Sequence, residues 1–245
     1  MKPIEVYRSD HLNCICYKEN SDNLSIVFDH MRTRDGNFPK HGYPIYHKNT
    51  ALLHVHCKDN NWFLVPDLNK ARRAIAEFSK KYSRITAFGS SMGGYGAVLF
   101  SKKINYDFVF LASPQFSIFP KIAPFDDRFT SNLEKTYGNC ELKTISRKTI
   151  NSGLLIYDSS ITEDRLHKDL FSIYFPEILA VSFPFSGHPA LSIFGDTGKF
   201  GKLANMIVND DISRRDLILL RRDLREESQT YLKNILSYLD KRNER

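Results

Sequence analysis

The stretch TAFGSSMGGYGAVLF, Thr86–Phe100, runs from an apolar strand-like segment through clustered glycines and serines into an apolar helix-like segment. Gly89-Ser90-Ser91-Met92-Gly93 fits G-x-S-x-G with Ser91 at its centre. At such a strand-to-helix reversal the central residue takes a strained backbone. The positions two before and two after it must be small, so that the chain can fold back without clashing. The serine oxygen then stands at the edge of a sheet, near the positive end of the following helix. The spacing singles out Ser91 rather than Ser90 as a candidate nucleophile, with the Met92 amide as a candidate oxyanion donor. A phosphate-cradling turn competes for the same residues. Its marks are missing: no Gly-Lys-Ser/Thr follows, and Gly89, Gly93 and Gly94 do not fall at G-x-G-x-x-G spacing.

Working outward, short apolar runs bounded by turn residues lie at Asn23–Met31, Ala51–Cys57, Arg84–Phe88, Asp107–Ser113, Ser152–Asp158 and Glu177–Phe183. Runs of this form suit strands buried on both faces. Between them, Pro66–Tyr82 carries Leu68, Ala71, Ile75 and Phe78 at helical spacing, and helices are expected from Met92 to about Lys103 and from Asp164 to about Tyr174. The alternation predicts a mainly parallel sheet with helices on both faces. Two segments depart from it. Residues 114–151 are long and rich in Pro and Phe, and read as a lid-like excursion over the sheet's C-terminal edge; Phe116, Phe119, Phe125 and Phe129 suit either the wall of an acyl pocket or the core, with nothing to separate the two. Asp127-Arg128 reads as a salt bridge holding that excursion, with a substrate contact as the alternative. Residues 212–243 read as one helical segment, with Leu217, Leu220, Leu224, Leu232, Ile235 and Leu239 on a stripe packed against the sheet.

The 245 residues fit a single domain, 1–245. The net charge of +7 permits attraction to anionic partners, but no nucleic-acid recognition motif accompanies it. No apolar run approaches the roughly 20 residues of a membrane span, and the N-terminal segment is broken by charges. Cys14, Cys16, Cys57 and Cys140 show no paired metal spacing. The expectation is a soluble, cytoplasmic protein with reduced thiols, and homo-oligomerisation is left open.

A nucleophile on such a turn predicts an acid and then a histidine downstream, after later strands. Six histidines precede Ser91; His54 and His56 would share one face of a strand. Of the two that follow, His167 falls inside a helix, whereas His188 sits in a Ser-Gly-His-Pro loop after the last strand and is the candidate base. Two aspartates follow the strand LLIY: Asp164, just before a helix, is the favoured acid, and Asp158, which could instead brace the loop, is the alternative.

These residues, Ser91 in GSSMGG, an Asp after LLIY and His188 in SGHPAL, resemble the α/β-hydrolase superfamily over about Leu24–Met206. The fuller string FGSSMGGYGA, with Pro114-Gln115 after the next strand, is similar to bacterial hydrolase-like proteins. The resemblance implies an α/β-hydrolase fold and a serine esterase using Ser91, His188 and Asp164. It implies a second oxyanion amide among Asp29, His30 and Met31, where the HGGG-type loop of many esterases is replaced by FDHMRTRDG. It implies a small-molecule or carbohydrate ester as substrate and no metal or organic cofactor. An acyltransferase or thioesterase with the same residues, or a non-catalytic binding or assembly protein, are the alternatives.

Overall fold

The structure, a computed structural model, describes residues 3–17, 21–33, 36–38, 50–138, 141–209 and 212–243. Cys140, His41 and His47 lie outside them. Eight strands, β1 (Ile4–Arg8), β2 (Leu12–Tyr17), β3 (Asn23–Phe28), β4 (Ala51–Cys57), β5 (Arg84–Ser90), β6 (Phe108–Ala112), β7 (Gly153–Tyr157) and β8 (Ile178–Ser182), form one sheet in the order β1-β2-β4-β3-β5-β6-β7-β8. The β1–β2 and β2–β4 pairs are antiparallel, and every pair from β4 across to β8 is parallel. Every residue of β4 and β6 is buried, which is why these strands read as unbroken apolar runs.

Helices cover both faces. On one lie α1 (Leu68–Ser79), α2 (Met92–Phe100) and α3 (Thr162–Tyr174), whose Ala71, Ile75, Val98 and Phe171 pack with Leu12 and Ile26 of the sheet. On the other lie α4 (Ser192–Asp196), α5 (Phe200–Val208) and α6 (Arg214–Glu227), whose Phe194, Leu203, Leu217 and Leu220 pack with Val27, Phe88 and Phe110. Each large side chain buried here contributes roughly 1.5–3 kcal/mol. Cys14 and Cys16 face inward from β2, and His54 and His56 lie 5.4 Å apart on β4, both buried.

The C-terminal segment differs from expectation. It is two helices, α6 and α7 (Gln229–Asn243), parted at Ser228. Ser228 is fully buried, and its hydroxyl donates to Asp196 at 2.9 Å and accepts from the Tyr231 amide at 3.1 Å. One side chain thus ends α6, ties it to α4 and caps α7. Leu217, Leu220 and Leu224 are buried as the stripe predicts, but Leu232 and Leu239 are 46% and 43% exposed. After the turn at Ser228 their face of the helix no longer meets the sheet.

The excursion between β6 and β7 contains three short 3-10 turns, at Thr130–Lys135, Leu142–Thr144 and Arg147–Thr149. Phe116, Ile118, Phe129, Leu142 and Ile145 are buried in the core on the α2 side. The Tyr137 amide donates to the Leu64 carbonyl at 2.8 Å, which fastens the excursion to the β4–α1 connection.

Candidate active site

Ser91 lies at the junction of β5 and α2 with φ 50° and ψ −120°. A non-glycine residue held there stores about 1–3 kcal/mol. The neighbouring glycines show what allows it. A Cβ on Gly93 would lie 2.6 Å from the Phe28 carbonyl oxygen and 2.7 Å from that of Asp29, and one on Gly89 would enter the Gly93 peptide. The Ser91 amide donates to the Ala112 carbonyl at 2.9 Å, which anchors the turn to β6. Ser90 belongs to the alternate face of β5, with Phe88, and its buried hydroxyl has no hydrogen-bond partner among the described residues.

The Ser91 Oγ stands 3.0 Å from His188 Nε2. His188 Nδ1 stands 2.9 and 3.0 Å from the two carboxylate oxygens of Asp164, a residue of the first turn of α3. Asp158 does not meet the ring. One of its oxygens accepts from the Ser160 amide and hydroxyl and from the Phe185 amide, and the other from the Gly187 amide at 2.7 Å. Four donors therefore engage it, two of them from the backbone of the loop that presents His188. The two aspartates divide the work, one orienting the ring and the other the loop.

Of the candidate oxyanion donors, Met92 opens α2, where a backbone N–H has no acceptor within its own helix. Asp29 is not available for that role. Its amide donates to the Val55 carbonyl at 3.2 Å, continuing the sheet, and its carboxylate turns inward to His56 Nδ1 at 3.0 Å and the Cys57 amide at 3.2 Å. His30 and Met31 remain, both exposed just past the end of β3.

Several residues around this array have contacts that the sequence does not foretell. Gln115, wholly buried, touches both Ser91 Oγ and His188 Nε2 at 3.2 Å. Arg128 pairs not with Asp127 but with Asp126, through Nε and a terminal nitrogen at 2.8 Å each, and reaches Asp164 at 3.1 Å. The turn carries the Arg128 amide to Asp126 as well, at 3.1 Å, whereas adjacent side chains diverge. Asp126 in turn meets His167 Nε2 at 2.9 Å, while His167 Nδ1 accepts from the Phe116 amide at 3.1 Å. A helix-borne histidine thus braces the excursion.

Burial alone would raise the Asp164 carboxyl; the hydrogen bond and charge of His188, with the charge of Arg128, outweigh it and hold the group below its ordinary value. Asp126 follows the same pattern, with burial opposed by Arg128 and His167, and is depressed further. Both carboxylates therefore stabilise the fold fully above the unfolded aspartate value of about 4, and lose that contribution as pH falls through their lower folded values. Arg128→Met should cost about 2 kcal/mol at pH 7, by leaving buried charge unpaired, and the deficit should shrink at pH 3. Urea unfolding of both proteins at the two pH values measures it, and a deficit that is unchanged or larger at pH 3 counts against the pairing.

Beside the array lies a cavity of about 300 Å³, walled by Phe28, Phe88, Ser90, Pro189, Leu191 and Phe200. These come from the ends of β3 and β5 and from the chain after His188. The phenylalanines of the excursion do not form it.

No protein-family model matches the chain, and no curated protein matches it. Solved structures do. The capsule O-acetyltransferase of Neisseria meningitidis serogroup A is similar over 81% of this chain and 93% of its own, with 18% identity and a TM-score of 0.57. An esterase from Pyrobaculum calidifontis is similar over 86% and 85%, with 10% identity and a TM-score of 0.53. The Pyrococcus furiosus esterase Pf2001 is similar over 84% and 91%, with 14% identity and a TM-score of 0.51. With its strand order, its elbow at Ser91 and these neighbours, the chain has the α/β-hydrolase fold.

Proposed function

We propose that the protein is a serine-dependent acyl-transfer enzyme, in its simplest form a carboxylic-ester hydrolase for a small acyl group, with carbohydrate esters as a candidate substrate class. The observation that carries this is the hydrogen-bonded path from Ser91 through His188 to Asp164. His188 Nε2 takes the Ser91 proton as Oγ adds to the ester carbonyl, and Asp164 holds the ring by Nδ1–H and balances its charge. The Met92 amide, with one from His30 or Met31, receives the tetrahedral oxyanion. His188 then delivers the proton to the leaving alcohol. In the second half-reaction water gives its proton to His188 and attacks the acyl-serine, and collapse returns that proton to Ser91 Oγ.

A second reading keeps the acyl-serine and replaces water by an alcohol acceptor; the likeness to a capsule O-acetyltransferase favours it. A cytoplasmic location is part of the proposal, since the free, buried thiols Cys14 and Cys57 suit a reducing compartment. Among the described residues no helix is long and apolar enough to cross a membrane.

A fluorophosphonate probe should label the wild type and spare Ser91→Ala; equal labelling of both would remove the basis of the reading. Acetyl, butyryl and longer nitrophenyl esters, each assayed with and without an added alcohol, then separate hydrolysis from transfer.

A further inference from the structure

Gln115 follows β6 and is wholly buried, while the His188 side chain it meets is 17% exposed. Substrate therefore reaches the Ser91–His188 pair from the side opposite the amide. Two partners fix which way that amide points. The Trp62 indole can only donate, and it donates to Gln115 Oε1 at 3.3 Å. The Ser113 carbonyl can only accept, and it lies 3.4 Å from Gln115 Nε2. So the oxygen faces Ser91 Oγ and the nitrogen faces His188 Nε2, each at 3.2 Å. An amide nitrogen can only donate, so the His188 nitrogen it meets must offer a lone pair. That demands the ring form with its proton on Nδ1, the form that also donates to Asp164.

The residue doing the orienting is itself held in an unusual conformation. Trp62 and Phe63 are consecutive, fully buried, bulky residues at φ 54° and 59°. Two such backbones in succession persist only where the surroundings over-determine them. The Phe63 ring fills the space over Gly96 of α2, where a Cβ would lie 2.5 Å from it. The Trp62 ring packs on Phe129 at 5.2 Å between centroids, and Phe129 lies 6.0 Å from His188. The strained pair thus sets the nucleophile helix on one side and the Gln115 amide on the other.

We propose that Gln115 is a fourth member of the catalytic site, resting on the acyl-transfer reading above, and that Trp62 is its positioning residue. Gln115 keeps His188 Nε2 as a proton acceptor turned toward Ser91 and closes the buried side of that proton path to water. The Ser91 proton, shared at rest between Gln115 Oε1 and His188 Nε2, moves to Nε2 as the Oγ–carbonyl bond forms, and the Gln115–His188 hydrogen bond is given up. Gln115 contributes before that step, by holding Oγ and Nε2 in register 3.0 Å apart.

The test reads fluorophosphonate labelling rates and the ¹⁵N resonances of the His188 ring in wild type, Gln115→Met, Gln115→Glu and Trp62→Phe. Methionine keeps the length and removes both hydrogen bonds. Glutamate keeps the acceptor for Trp62 and Ser91 and removes the donor to His188. Gln115→Met should label about tenfold or more slowly, with its Nε2 resonance moved toward that of an acceptor without a donor. Gln115→Glu should do no better, and Trp62→Phe should shift both readouts in the same direction by less. A labelling rate within twofold of wild type in Gln115→Met or Gln115→Glu, or an unmoved Nε2 resonance in Gln115→Met, overturns the proposal. Should both Gln115 variants fail to fold, Trp62→Phe decides, and wild-type values for both its readouts overturn it. Absence of labelling in the wild type strikes the acyl-transfer reading instead, and the ring resonances still judge the Gln115 contact.

Discussion

Ser91→Ala and His188→Ala should each lower kcat/KM toward an activated ester by about a hundred-thousand-fold, and the double variant should lose no more than either alone. The reason is the shared step. Oγ attacks only as it gives its proton to Nε2, 3.0 Å away, so removing either partner removes the whole event. What remains is whatever the oxyanion donors and substrate binding supply. Alanine adds no atom at either position, so thermal midpoints should stay within a few degrees of wild type. Losses that multiply in the double variant would mean two independent contributions, and a single variant keeping more than a hundredth of the rate would mean a different nucleophile or base.

The largest effect on stability is expected at Gly89, not in the hydrophobic core. A Cβ there would meet the Gly93 carbonyl group and approach the Gly94 nitrogen to 2.6 Å, and all these atoms are backbone. A flexible side chain could swing aside, but the first turn of α2 cannot without moving the helix. Gly89→Ala should therefore cost about 3 kcal/mol or more, through backbone displacement and not lost contacts. Urea unfolding measures it. A loss below about 1 kcal/mol would show that the elbow can relax. Where the variant still folds, Ser91 should be drawn away from His188, so probe labelling should fall along with stability.

These glycines explain why the fold was legible. The steric demand that makes Gly89 and Gly93 obligatory is local, so it is written in adjacent letters. The six segments expected as strands from Asn23 onward appear as strands, their ends trimmed or extended by one to three residues except at Ala51–Cys57, which agrees at both ends. Burial on both faces gives β4 and β6 unbroken apolar runs, whereas the edge strand β8 keeps its apolar letters with Leu179 54% exposed. Ser91, Asp164 and His188 were put forward from motif and chain order, and the structure brings their side chains within hydrogen-bonding distance. Asp29 shows the limit of position alone. It occupies the expected loop, but the sheet takes its amide.

What was not legible depends on direction and on distant partners. Nothing in Pro114-Gln115 tells that the amide turns back to Ser91, because Trp62 lies 53 residues upstream. Asp127 adjoins Arg128 in sequence, and Asp126 is chosen only by the turn. Ser228 breaks a helix without glycine or proline, through its bond to Asp196 on another element. Periodicity placed Leu232 and Leu239 on one face but could not say whether anything covers that face.

The connection from β7 into α3 is only residues 158–161, and the two carboxylates that serve His188 flank it: Asp158 is its first residue and Asp164 lies in the first turn of α3. Surface connections of this kind usually tolerate added residues, which makes them favoured points for tags, loop exchange and circular permutation. Here the spacing of the two ends is a ruler: it fixes where the ring stands relative to the loop that carries it. Lengthening the connection by even one residue would leave the fold's layers intact while pulling those two supports out of step. Engineering of this scaffold should leave that segment at its present length and place its insertions elsewhere.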